Sequence, residues 1–140
     1  MQPKISALIR AVECANEILA KWELEKLEVK SGEIFCCGKR IDFWEVRRIW
    51  DTVCWMSPDL ALAITAFMKQ YDFILDDCDI HHIVMIKQFP YHKKIIFILK
   101  INQTQAQLTI KKCKEIVFKE CGTYDQIIKK FRTLYGIMLV

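Results

Sequence analysis

Lys94-Ile95-Ile96-Phe97-Ile98-Leu99-Lys100-Ile101 is the stretch on which the fold turns. Ile95, Phe97, Leu99 and Ile101 fall on one face of an extended chain and Ile96 and Ile98 on the other, the pattern of a central strand covered on both sides. Two comparable runs flank it, Ile80 to Phe89 before and Gln107 to Lys119 after, and the second is expected to break near Lys112 into two strands. The connections, Phe89-Pro90-Tyr91-His92-Lys93 and Asn102-Gln103-Thr104-Gln105, are short and either polar or marked by proline, which predicts an antiparallel meander of three to four strands.

Toward the N-terminus the period changes from extended to helical at Asp76-Asp77-Cys78-Asp79. Residues 4–28 place Ile5, Leu8, Ile9, Val12, Ala15, Leu19 and Trp22 at helical spacing, with a stop expected at Ser31-Gly32. Residues 33–40 read as a short extended segment with a turn, either a strand or a packed loop. Asp42 and Glu45 form a capping box that opens a second helix running to about Met56. Ser57-Pro58-Asp59 supplies an N-cap, a proline at the first helical position and an acid in the first turn of a third helix, whose core stripe is Leu60, Ala63, Ile64, Phe67, Met68 and Tyr71. At the other end Thr123 and Gln126 make a capping box before Ile127, Ile128, Phe131, Leu134 and Tyr135, with Gly136 as C-cap. The fold class expected is α+β: an N-terminal three-helix layer, then the antiparallel sheet, then a C-terminal helix.

The chain has 140 residues, 53% hydrophobic and 27% charged, which excludes a disordered protein and suits one domain. Residues 1–76 form its mainly helical, acidic part, and residues 77–140 its basic part of sheet plus helix. Charge is polarised beneath a total of +4: residues 1–80 hold ten Lys/Arg against fourteen Asp/Glu, and residues 81–140 eleven against three. Seven cysteines, an odd number, favour reduced thiols, with Cys14 and Cys54 beside helical apolar stripes. The start Met1-Gln2-Pro3-Lys4-Ile5 lacks a signal-like pattern and the longest strongly apolar run, Ile95 to Leu99, is far too short to span a bilayer, so an intracellular protein of cytoplasm or nucleus, with no membrane partner, is expected.

The second helix carries two apolar stripes where a surface helix has one. Phe43, Val46, Trp50, Val53 and Cys54 point one way; Trp44, Arg48, Asp51 and Trp55 share another face at steps of four, three and four. Tryptophan and arginine dominate interface hot spots, so Trp44, Arg48, Asp51 and Trp55 are the expected partner-binding residues, weighed against a helix buried on both stripes. The basic set Lys93, Lys94, Lys111, Lys112, Lys114, Lys129, Lys130 and Arg132 is the expected contact for nucleic acid or another acidic partner. Being almost all lysine, it offers point charge and no bidentate base readout. The strand–strand–strand–helix order is similar to that of a double-stranded-RNA-binding domain. Thr123-Tyr124-Asp125-Gln126 does not match the Lys-Lys-x-Ala-Lys run that opens that family's second helix, so the chain is not assigned to it.

Asp77, Cys78 and His81 are the candidates for a metal, since Cys78 and His81 have the two-residue gap of chain-turn zinc ligands. The second half of a zinc pattern is missing, because adjacent Cys36-Cys37 chelate poorly and Cys113 and Cys121 are widely spaced; no metal or other cofactor is expected. The four glycines are scattered and form no phosphate-cradling loop, serine is scarce, and no nucleophile–base pair is marked by spacing, so no catalytic residue is assigned. The function expected is a non-enzymatic protein–protein interaction module, an adaptor or assembly subunit that binds another protein or itself; the alternative is binding of an RNA or DNA backbone through the basic half.

Overall fold

The computed structural model describes the backbone of residues 5–89 and 92–138 and the side chains of residues 9–89 and 94–137. The protein is mixed α+β, and its described elements are four helices and two antiparallel sheets of three and five strands. It divides into two compact units, Met1–Phe73 and Ile74–Val140.

The first unit holds α1 (Ile5–Lys21), β1 (Glu28–Lys30), β2 (Glu33–Cys36), β3 (Lys39–Ile41), α2 (Phe43–Thr52) and α3 (Pro58–Tyr71). Helix α1 buries Val12, Ala15 and Leu19 along one stripe, and Trp22 is buried just past its end. It ends well before residue 28: Glu23 takes φ 60°, the Glu23 N–H donates to Ala20 O at 3.1 Å and the Leu24 N–H to Leu19 O at 2.9 Å. These are the two bonds of a Schellman cap, made here without glycine, and buried Leu24 holds it. Asn16 then fixes the departing chain, its side chain accepting from Leu27 N–H at 2.6 Å and donating to Leu27 O at 3.2 Å.

The segment between α1 and α2 folds as a small sheet in the order β1-β2-β3, so the N-terminal part is not a layer of helices alone. Both of its hairpins turn on two residues of positive φ, Ser31-Gly32 and Cys37-Gly38, whose twist matches that of the paired strands. Helix α2 opens on Asp42, which accepts from the Trp44 N–H at 3.0 Å, while Glu45 turns away from the expected box to Lys69 of α3 at 3.0 Å. Helix α3 is capped by Ser57 and buries every residue from Ala61 to Phe67, so it is the central helix and not one with a single stripe. Its three alanines let α1 and α2 approach on different sides, and Thr65 meets its polar need by donating to Ala61 O at 2.8 Å.

The second unit contains β4 (Ile74–Cys78), β5 (His82–Phe89), β6 (His92–Asn102), β7 (Ala106–Lys112), β8 (Glu115–Gly122) and α4 (Tyr124–Met138). The strands pair in chain order, a meander of five where three to four were expected. The added strand is β4, which runs into the Asp76–Asp79 stretch where the period changes; the break after Lys112 separates β7 from β8, which join through a Cys113-Lys114 turn of positive φ. Helix α4 covers one face: Phe131 packs edge-on to Phe97 at 5.6 Å, and Tyr135 lies 5.8 Å from Phe89. Ile83, Met85, Leu99, Ile101 and Leu108 fill this core. The Thr123–Gln126 box forms reciprocally, at 3.1 and 3.2 Å. Gly136 does not cap α4, which continues to Met138.

This boundary redraws the charge map. Residues 1–73 carry ten Lys/Arg against eleven Asp/Glu, and residues 74–140 eleven against six. The helical unit is therefore close to neutral, because Asp76, Asp77 and Asp79 belong to the edge of the basic unit.

Candidate functional site

Val46 and Ile49 anchor α2 against α3, which turns the rest of the helix outward. Trp44 is 67% exposed and Trp50 39%, although a buried stripe was the alternative for this helix. The guanidinium of Arg47 lies 5.7 Å from the centre of the Trp44 ring, and its Nε donates to Asp51 at 2.9 Å. A ladder of Trp44, Arg47 and Asp51 therefore stands on this face, held by cation–π attraction at one end and an i,i+4 ion pair at the other.

The expected quartet does not form as one face. Arg48 is exposed, but Arg47 takes the place over the indole. Helix α2 stops at Thr52 with Val53 in an extended conformation, so Trp55 lies in the following turn, half-buried, where helical spacing no longer governs its direction. Helical positions i+3 and i+4 are equally near a residue, and only the backward lean of the side chains decides between Arg47 and Arg48.

On another side of α2 a cleft of about 420 Å³ opens between α1, α2, α3 and β2. Its walls are Ala11 and Cys14 of α1, Ile34 of β2, Phe43, Val46 and Trp50 of α2, and Pro58 and Leu62 of α3, with Arg10 and Asp59 as its charged members. In the sequence Phe43 and Trp50 share one apolar stripe of α2, and Cys14 falls beside the apolar stripe of α1. In the structure Phe43 is half-buried, Cys14 and Trp50 are exposed, and all three line the cleft. The signal for this in the sequence is an aromatic pair seven residues apart, which gives the face but not the gap beside it.

The basic residues divide. The Cys113 N–H donates to Lys94 O at 3.0 Å and Ile95 pairs with Lys112, which brings Lys94, Lys112 and Lys114 to one end of the sheet. Lys111 and Lys119 stand on the face away from α4, paired with Ile96 and Thr109. Lys129, Lys130 and Arg132 ride on α4, where the Lys130 ammonium sits 5.8 Å from the Phe118 ring centre. The Lys93 side chain lies outside the described residues. Lys87, which the charge count places with the basic residues, is only 7% exposed, its ammonium 5.5 Å from the Tyr135 ring centre and 5.7 Å from that of Phe89.

At the β4–β5 turn the structure groups Asp77, Asp79 and His82 within 4.8 Å, not Asp77, Cys78 and His81. Asp77 pairs with Val84 and Cys78 with Ile83, so the thiol projects from the opposite face of the strand. His82 meets both carboxylates at 3.4 Å. One oxygen of Asp79 accepts from the His81 and His82 N–H groups, both at 2.8 Å, and these bonds hold its carboxyl below the usual range. Turn formation accounts for the grouping, and no metal is assigned to it.

No family model, curated protein or solved structure matches the chain. Among the described residues no helix is long and apolar enough to cross a membrane.

Proposed function

We propose that this chain is a non-enzymatic protein-interaction module that receives an apolar anchor of a partner protein in the cleft beside Trp50, with the Trp44–Arg47–Asp51 ladder as a second contact on the same helix. The observation that carries the reading is the cleft itself: about 420 Å³, apolar apart from Arg10, Asp59 and a thiol, and walled by a tryptophan 39% exposed. Such a lining recognises shape and apolar area, and its one cation and one anion suit a peptide with charges of both signs beside the anchor.

Peptides selected on the immobilised chain from a random 16-residue library provide the test. They are expected to share a large apolar residue and to lose tenfold or more in affinity with Trp50→Ala, while circular dichroism shows the fold retained. Peptides that bind Trp50→Ala and Trp44→Ala as well as the unaltered chain would sink the proposal.

A second reading, contact with a nucleic-acid backbone, is favoured by the gathering of Lys94, Lys112 and Lys114 at one end of the sheet.

A further inference from the structure

Helix α4 covers one face of the five-stranded sheet, packing on Phe89 and Phe97. Register fixes what stands on the opposite face, because residues paired across antiparallel strands project to the same side. The row Ile74–Ile86–Ile98–Thr109–Lys119 crosses all five strands there. On one side of it Val84 pairs with Lys100, and on the other Ile96 pairs with Lys111.

This face has two unlike halves. Across β4, β5 and β6 it is apolar at its centre: Val84, Ile86, Ile96 and Ile98 are half-buried, and Ile74 is 69% exposed. Toward β7 and β8 it is cationic, through Lys111 and Lys119, while Lys94 and Lys100 stand at either end of the isoleucine pair on β6. Among the described acids the register places only Asp77 on this face, at the far edge strand, where it meets His82 at 3.4 Å.

An apolar sheet face is buried by a helix stripe, as α4 does on the other side. Strands are spaced about 4.8 Å apart, so a helix about 10 Å across covers the β5–β6 pair. From Lys94 to Lys100 is about 20 Å of strand, the length of a helix of roughly 13 residues. Such a helix, stripe down, holds one flank over Lys100, Lys111 and Lys119, where acids are attracted and lysines repelled. A second copy of this face would set its lysines against the same lysines. The paired residues of the face include no Phe, Tyr or Trp to stack on a base or to anchor at a bilayer interface.

We propose that this face docks an acidic amphipathic helix of a partner protein, lying along β5 and β6 with its acids toward β7 and β8. The cleft of the first unit takes no part, so this inference stands or falls separately from the proposed function.

The test is selection, on the full chain, from a library of helix-stapled peptides randomised at every unstapled position. A class of binders is expected with an apolar stripe and Asp or Glu along one flank, binding the Trp50→Ala chain equally well. Lys100→Glu and Lys119→Glu should each weaken these peptides tenfold or more, and replacing their acids by lysine should restore binding to the altered chains. In isoleucine-methyl NMR spectra of the unaltered chain they should shift Ile86, Ile96 and Ile98 and leave Ile34, in the cleft, unmoved. These spectra need no variant, so they stand whether or not a substitution harms the fold. A selection with no peptide that moves the three methyls, or with binders indifferent to both charge reversals, would overturn the proposal. Phosphatidylserine vesicles or duplex RNA moving those methyls where no peptide does would overturn it in favour of a lipid surface or a nucleic acid.

Discussion

Cys37 stands in the β2–β3 turn with φ 52°, exposed by its side-chain area yet with a sulfur that loses hydration on folding and donates to Glu25 Oε2 at 3.0 Å. Desolvation first, then the hydrogen bond to the Glu25 carboxylate, push its pKa from 9.0 to about 12. The thiolate is the nucleophile, so at pH 8 its fraction falls from about one in ten to about one in ten thousand. Iodoacetamide should modify Cys37 roughly a thousandfold more slowly than an ordinary thiol, with a rate still climbing tenfold per pH unit at pH 10. Glu25→Gln removes the anion that penalises the thiolate and should speed the reaction at pH 8. Peptide-resolved alkylation rates decide it: equal rates in both chains would show that the carboxylate plays no part. Neither the turn residue nor its partner twelve positions earlier marks this pairing in the sequence, because it exists only once the chain has reversed after α1.

Elements differ in how openly their ends are written. Asp42, Ser57 and the Thr123–Gln126 pair are legible because capping is local chemistry, a side-chain oxygen meeting an N–H two or three residues on. The C-termini of α1 and α3 are not. Glu23 and Asp72 adopt φ 60° and 56°, a conformation that costs a non-glycine residue about 1 kcal/mol. Burial of Leu24 and Phe73 just beyond them offsets that cost, and it depends on the assembled core. Strand β4 was missed for a related reason: three acids in six residues deny it a strand pattern, and only an edge position makes their solvation compatible with pairing. Asn16 shows the same dependence, since its two hydrogen bonds close a loop of eleven residues. Asn16→Ala leaves the Leu27 N–H and C=O without these partners and should lower unfolding stability by about 1–3 kcal/mol, read as a lower urea midpoint at unchanged slope. An unchanged midpoint would mean that water replaces the amide without loss.

For the whole molecule, charge sets the relevant scale. The +4 total resolves into a near-neutral helical unit and a sheet unit with eleven cations against six anions. Division of the sequence at the change of period, after residue 76, leaves Asp76 with the helical part, and a charge count run to residue 80 adds Asp77 and Asp79 to it; periodicity reports local conformation, whereas the boundary follows packing. Within the sheet unit three of the six acids lie on β4 or in the turn after it, two on β8 and one on α4, while the described cations spread over both faces and α4. If the end that gathers Lys94, Lys112 and Lys114 contacts a duplex, about three phosphates are neutralised and log K should fall with log salt at a slope near −3, roughly 40-fold between 50 and 200 mM. Replacing Lys112 and Lys114 by alanine should lower that slope by about two and weaken all sequences alike, because lysine contacts carry no base readout. Titration of fluorescent duplex RNA and DNA at several salt concentrations separates the cases. Absence of binding at 50 mM, or a slope untouched by the double substitution, would remove the nucleic-acid reading and leave these lysines as the solvated end of a sheet.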